Sequence, residues 1–432
     1  MNKSVRASVF FVAATLAISV CRGAKAPTYT TLYQFTGYLG GPDGSYPIAP
    51  LVIGPGGILY GTTRLGGVVN ATCPDGCGTA FSLAPPASAG MPWTETILHS
   101  FDAGSDAYWP SAALTVGPKG VLYGTTVAGG PSGFGVVFSL APPSESGGLW
   151  TENILHNFVG PVGPGLDGVS PYANLLLSEG GILYGTAQLG GASGGGVAFS
   201  LTPSHSGDWT ETILYNFGGE GDGSDLVSSF VAWGGVLYGT TAGGGAFGYG
   251  TVYSLSPPSA PGGTWTEAVL YSFAGGSDGE GPNFGNLVAG SGGVLYGTTL
   301  SGGAYGEGTV FSLTPPASQG AAWTESVLFS FFYRTGESPY GGLAIDKAGN
   351  LYGATSFGGD ATKGLGTVFQ LAPPAAAGSP WKFTDLHIFT NPNGITPMAG
   401  VTIDAQNKVI YGTTSGFYYI PQNGGTVFSL TF

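Results

Sequence analysis

The chain has 432 residues, 42% hydrophobic and 8% charged, with a formal net charge of −13. That is enough apolar material for a large core, and its eleven Lys and Arg, spread thinly, exclude the cation clusters that nucleic acid or an anionic membrane requires. Gly and Pro make up about a quarter of the chain, a share that signals disorder only where no period exists, and here a strong one does.

Residues 1–26 read as a secretory signal peptide. Lys3 and Arg6 form a basic start, and Val9 to Val20 an apolar run too short to span a bilayer comfortably. Ala24-Lys25-Ala26 offers a small-residue cleavage site, although Pro27 moves the expected cut toward Gly23 or Ala24. Ile18-Ser19-Val20-Cys21 gives a minor second reading as a lipobox, with bulky Val20 where such boxes usually place Gly, Ala or Ser. No later run is long and apolar enough to be transmembrane, so the expectation is a mature chain 27–432, secreted, periplasmic or at the cell surface. Once Cys21 leaves, Cys73 and Cys77 remain, and in an oxidising compartment they are expected to form a small-loop disulfide. Zinc there would need about two more ligands, and no His or Cys stands near.

From Tyr60 onward a phrase centred on LYGTT recurs every 54–63 residues, its tyrosines being Tyr60, Tyr123, Tyr184, Tyr238, Tyr296, Tyr352 and Tyr411. Each unit holds four strand-like runs separated by Gly, Pro, Asn and Asp; in the second they span 112–116, 121–126, 135–140 and 150–158. We call them strands a to d. Four strands per repeat predict an all-β, seven-bladed β-propeller with four antiparallel strands per blade. Strand c occurs seven times, but the strand d phrase W-T-E-x-x-L-x-x-F starts only at Trp93, Trp150, Trp209, Trp265, Trp323 and Trp381. The segment 29–35 matches that phrase through Leu32 and Phe35, so the N-terminal strand should complete the C-terminal blade and close the ring. The glycine of LYG fills one slot in all seven units, which predicts an aromatic ring lying over it. LYGTT is therefore read as scaffold.

Function is sought where the repeats differ. Strands alternate in direction, so the b–c and d–a loops share one face and the a–b and c–d loops the other. The c–d loops are Pro- and Ala-rich spacers. The d–a loops carry an acid shortly before a proline: Asp43, Asp106, Asp167, Asp278 and, on a shorter loop, Glu337, while Asp222 lacks the proline. The expectation is a ring of carboxylates around the channel mouth, with b–c aromatics such as Phe247, Tyr249 and Tyr305 beside it. One reading of the aspartates is turn chemistry, in which the side chain bonds its own backbone. The other is a binding face for sugar planes and hydroxyls, or for Ca²⁺ held by carboxylates. Asymmetry at the first and last b–c loops places a site near Trp109, Tyr418 and Tyr419. His99, His156 and His387 share one d-strand slot with Tyr33, Tyr215, Tyr271 and Phe329 and read as packing rings. The WTE glutamates, Glu95, Glu152, Glu211, Glu267 and Glu325, read as outer-strand surface residues. No nucleophile elbow, zinc-protease motif or P-loop is present, so no catalytic residue is assigned.

The phrase LYGTTxxGGxxxxGTVFSLxPP, fullest at 237–258 and 295–316, resembles the Gloeobacter/Verrucomicrobia-type tandem repeat of secreted bacterial proteins. The resemblance implies an exported bacterial repeat protein and carries over no activity. Its members often bear a C-terminal anchor, which is not seen before Phe432. The leading expectation is a monomeric, non-catalytic module that binds glycan or protein. An enzyme acting on extracellular polysaccharide and a structural matrix protein are the alternatives.

Overall fold

The computed structural model describes residues 26–432 apart from 37–40, 89, 104–105, 146, 161–166, 261, 283, 319, 361–363, 377, 391–393, 407 and 417–423. Residues 1–25, which hold Cys21 and nearly all of the expected signal peptide, and Tyr418 and Tyr419 lie outside the described residues. Seven four-stranded antiparallel sheets form the blades of a propeller. Blade one is Val52–Ile53, Leu59–Thr63, Thr79–Ala84 and Thr94–Ser100, paired in that order. Blade seven is Thr402–Asp404, Val409–Thr414 and Thr426–Thr431, with Thr28–Gln34 as its fourth strand. The first strand thus closes the ring on the last, as the strand count requires. Among the described residues no helix is long and apolar enough to cross a membrane.

Strand a is shorter than its sequence suggests. In blade two only Thr115–Val116 pair, whereas the apolar run starts at Ala112. Neighbouring blades satisfy the preceding backbone instead: Asn174 Oδ1 accepts the Ala113 N–H at 2.7 Å, and Thr62 donates to the Ala112 carbonyl at 3.0 Å. These inner segments line the axial channel, where converging chains leave little room for a long ladder.

The LYGTT phrase joins blades. A ring lies over each glycine: an added Cβ would fall 2.6 Å from Phe81 at Gly61 and 2.6 Å from Phe311 at Gly297, and strand c supplies the ring in every blade. The preceding tyrosine meets the strand d tryptophan of the next blade edge-on, as in Tyr123 to Trp209 with centroids 6.0 Å apart. At the last seam, where that tryptophan has no counterpart, Phe432 meets Tyr352 at 6.4 Å. The first threonine reaches across the seam, Thr125 to the Ala173 carbonyl at 3.2 Å. The second binds the start of strand c, Thr299 to Thr309 at 2.8 Å. The last phenylalanine of each strand d packs on the strand c ring of the following blade, as Phe101 does on Phe138.

Strand d carries a bulge at the leucine of its phrase. Phe81 faces Ile97 and Ala80 faces His99, so Leu98 is skipped, and the same shift recurs around the ring. The extra residue inverts the side-chain alternation. Glu95 therefore faces the preceding blade, and His99 the following one.

In blade four, Tyr253 takes the strand c ring position. It is fully buried, and its hydroxyl has no hydrogen-bond partner. An orphaned buried hydroxyl costs about 1–3 kcal/mol. Tyr253→Phe is therefore expected to raise stability by about 1 kcal/mol or more, read as an upward shift of the urea midpoint at unchanged slope.

Candidate functional site

The d–a loops do not place their aspartates at the channel mouth. Asp43 accepts the Tyr33 hydroxyl at 2.9 Å and the Thr36 N–H at 2.8 Å. Asp278 accepts the Tyr271 hydroxyl at 3.1 Å and the Ala274 N–H at 2.7 Å. Asp106, Asp167 and Asp222 likewise accept the N–H of the residue that follows them. All five cap the outer strands at the blade seams, and none lines the funnel described below. Backbone bonding at each aspartate is the geometry of the turn reading. Glu337 does not occupy this slot at all: Thr335 does, its hydroxyl taking the Phe332 N–H at 3.2 Å. Glu337 instead pairs by its backbone with Phe357.

Each seam aspartate meets the inward glutamate of the next blade, which corrects the surface reading of the WTE phrase. One carboxylate oxygen of Glu95, Glu152, Glu211, Glu267 and Glu325 is buried without a hydrogen-bond partner. Burial first, and then the nearby aspartate, pushes Glu95, Glu267 and Glu325 up to about 7. In two adjacent seams the third member is a histidine. Burial opposes charge on His99 and His156, but hydrogen bonds to Asp106 and Asp167, with Glu152 and Glu211 nearby, outweigh it and raise both pKa values. The last two seams lack the aspartate and carry rings. Phe329 stacks on Phe383 at 4.4 Å and His387 on Tyr29 at 4.1 Å, where burial pushes His387 down to about 4.

The channel mouth is built three residues after the aspartate slot. There Tyr46, Trp109, Ser170, Asp225, Gly281, Ser338 and Thr396 all have φ between 52° and 66°. This region is costly for non-glycine residues and persists where surrounding bonds fix it. The Trp109 N–H donates to the Cys77 carbonyl of the preceding blade at 2.9 Å, and its own carbonyl accepts the Val127 N–H at 3.2 Å; Tyr46 and Ser170 are held the same way. Cys77 is joined to Cys73, so the loop beneath Trp109 is closed by a disulfide.

Side chains at these clamped positions, and at the residue after each strand b, differ from blade to blade. Arg64 is the cation among them. Its guanidinium lies 5.4 Å from the Trp109 ring and 5.7 Å from the Tyr172 ring, and Nη1 donates to the Tyr172 hydroxyl at 3.0 Å. Phe284 stacks on Tyr340 at 4.5 Å and meets Tyr172 edge-on at 5.5 Å. With Tyr46, Asn174, Asn286 and Met398 these form a funnel of about 120 Å³ over the axial channel. No Asp, Glu or His lines it among the described residues, and none pairs with Arg64. Outside the funnel the b–c loops of blades four and five present exposed rings, Phe247 at 60% and Tyr305 at 62%. Of the sequence-predicted site, the structure packs Trp109 against Arg64 but outside the funnel lining, and leaves the acids at the seams. Sequence reasoning missed Arg64, whose signal was its place: elsewhere that slot holds Val127, Gln188, Ala242, Leu300, Ser356 and Ser415.

Comparison with solved structures finds propellers at low identity. A fungal alcohol oxidase of the AA5 family, in complex with copper, aligns at TM-score 0.54 and 15% identity over 94% of this chain and 77% of its own. The extracellular domain assigned to a hybrid two component system of B. thetaiotaomicron aligns at 0.55 and 11% over 94% of this chain and 42% of its own. At these identities the likeness shows the fold alone. No curated protein sequence matches significantly. The profile of the Gloeobacter/Verrucomicrobia repeat matches residues 20–166, 67–289 and 283–432, the length of all seven blades. The chain belongs to the Gloeobacter/Verrucomicrobia repeat family.

Proposed function

We propose that this is an exported, non-catalytic binding module that takes an acidic glycan at the funnel, with Arg64 as the anchor for a sugar carboxylate. The observation that carries the reading is Arg64 itself: a guanidinium held between Trp109 and Tyr172, with no carboxylate partner among the described residues of a chain of net charge −13. A guanidinium fork matches a carboxylate bidentately, and ring faces suit sugar planes. The funnel's volume suits the projecting edge of one sugar rather than a whole oligosaccharide, and the exposed Phe247 and Tyr305 on the same face extend the platform. The lack of a carboxylate or imidazole in the lining supports binding without turnover, since acid–base catalysis needs such a group. The basic and apolar start of the chain supports export.

Calorimetric titration with uronate oligosaccharides and their neutral counterparts tests this. The uronates are expected to bind in preference. A charge-assisted hydrogen bond contributes about 1.5–3 kcal/mol, so Arg64→Ala should weaken binding roughly 10- to 100-fold while the melting temperature holds. Equal affinity for the neutral sugars, or no effect of Arg64→Ala, would sink the reading.

A further inference from the structure

The two histidine seams differ from the other polar seams in one respect. Tyr33, Tyr215 and Tyr271 put a phenol beside the aspartate and glutamate, whereas His99 and His156 put an imidazole nitrogen there. His99 Nε2 lies 3.1 Å from Asp106 Oδ2 and 3.7 Å from Glu152 Oε2. His156 Nε2 lies 3.3 Å from Asp167 Oδ2 and 3.6 Å from Glu211 Oε1. In each triad one nitrogen and two carboxylate oxygens fall within 4.8 Å of one another. Tetrahedral zinc at about 2.0–2.2 Å from its N and O ligands sets them roughly 3.3–3.6 Å apart. The geometry points to two divalent transition-metal sites, His99–Asp106–Glu152 and His156–Asp167–Glu211, each taking a zinc-like cation across a blade seam.

The geometry shared with the tyrosine seams holds these groups in place, and the imidazole nitrogen is what sets the two seams apart. Glu152 Oε1 and Glu211 Oε1 are buried and make no hydrogen bond. Each aspartate is held by backbone: Oδ1 of Asp106 and Asp167 accepts the Ala107 and Gly168 N–H at 2.7 Å, and Oδ2, which faces the imidazole, also accepts the Asp102 N–H at 3.3 Å and the Val159 N–H at 2.9 Å respectively. Each ring is held edge-on against a phenylalanine at 4.7 Å, His99 on Phe101 and His156 on Phe158. Two carboxylates with a neutral imidazole sum to two negative charges, matched by one divalent ion. A nitrogen donor and only three protein ligands fit a borderline cation better than Ca²⁺, which wants six to eight oxygens. Ligands come from one strand d, the following loop and the next strand d, so each ion would tie two blades together, and the sites lie apart from the funnel.

Chelator-stripped protein dialysed against Zn²⁺ and assayed for bound metal tests the inference. Two ions per chain are expected, with a rise of a few degrees in melting temperature over the chelated protein. His99→Tyr and His156→Tyr, residues that the same slot holds in other blades, should each leave one ion, and the double variant none. His387→Tyr, in a seam without this carboxylate pair, should leave both. Should a histidine variant fail to fold, Glu152→Gln and Glu211→Gln keep the imidazole, and each should cost tenfold or more in zinc affinity. Cobalt in place of zinc should give visible absorption that disappears with the double variant. Wild-type protein that retains no zinc, or a double variant that retains two ions, overturns the assignment and leaves each triad an imidazolium held by two carboxylates.

Discussion

A chain from which the strand Thr28–Gln34 has been deleted together with Phe35 is expected to lose the cooperative fold. That strand pairs along Thr426–Thr431 and is the fourth strand of blade seven. It ends beside Phe35, which is fully buried against Phe81 of blade one, and it carries Tyr29, which stacks on His387 of blade six. Truncating one buried phenylalanine costs about 3–5 kcal/mol, and a whole domain is stable by only about 5–15 kcal/mol. Losing the strand, the two ring contacts and the seal between blades one and seven consumes that margin. The truncated chain would also present strand c of blade seven as an open edge, which invites aggregation. Size-exclusion chromatography and near-ultraviolet circular dichroism should show aggregate or a loosened core. A synthetic peptide spanning 26–36, added in trans, should restore the monomer by strand addition. A truncated chain that stays monomeric with a native spectrum would show that closure rests elsewhere.

Stability should fall as pH rises from 5 to 9. Glu95, Glu267 and Glu325 are pushed up to about 7, by burial first and then by Asp43, Asp222 and Asp278. A folded-state pKa above the unfolded value means that the fold favours the protonated form. The contribution is fully present below the ordinary carboxyl range near pH 4.5 and is lost as pH passes through about 7. Above that, each seam must either ionise a half-buried glutamate beside an aspartate or open. The three seams act in the same direction, so calorimetric melting temperatures should drop by several degrees between pH 5 and 9. Glu95→Gln, Glu267→Gln and Glu325→Gln together should reduce the drop, the remainder coming from Glu152 and Glu211, which burial pushes up to about 8 and about 7. A flat profile, or a triple variant with the same slope as wild type, would mean that these groups ionise freely.

The ring was legible because its evidence was arithmetic: seven strand c phrases against six strand d phrases, with Leu32 and Phe35 in register at the far end. The glycine slot was legible because a glycine kept in seven strands needs a reason, and the strand c ring provides it. The glutamates were not, since alternation along strand d puts Glu95 and His99 on one face. Only the bulge at Leu98 separates them, and no residue type announces a bulge. The aspartates looked like a mouth ring because a loop's face can be read from topology, but its radius cannot. Glu337 reads as the sixth acid because it shortly precedes a proline, whereas position relative to the left-handed residue assigns that place to Thr335. Arg64 went unnoticed because one arginine among seven slots forms no motif.

The clamped positions at the mouth have a consequence for how this scaffold can change. Tyr46, Trp109 and Ser170 are held by main-chain bonds to both adjoining blades, so their side chains contribute nothing to those bonds. The same backbone already accepts tyrosine, tryptophan, serine, aspartate, glycine and threonine. Side chains can therefore be exchanged there one residue at a time without renegotiating the fold, much as loops on a rigid sandwich are varied. A small library confined to these seven positions should return folded proteins and, on the proposed binding role, altered ligand preference, because the backbone that sets the shape and the side chains that face the mouth are different atoms.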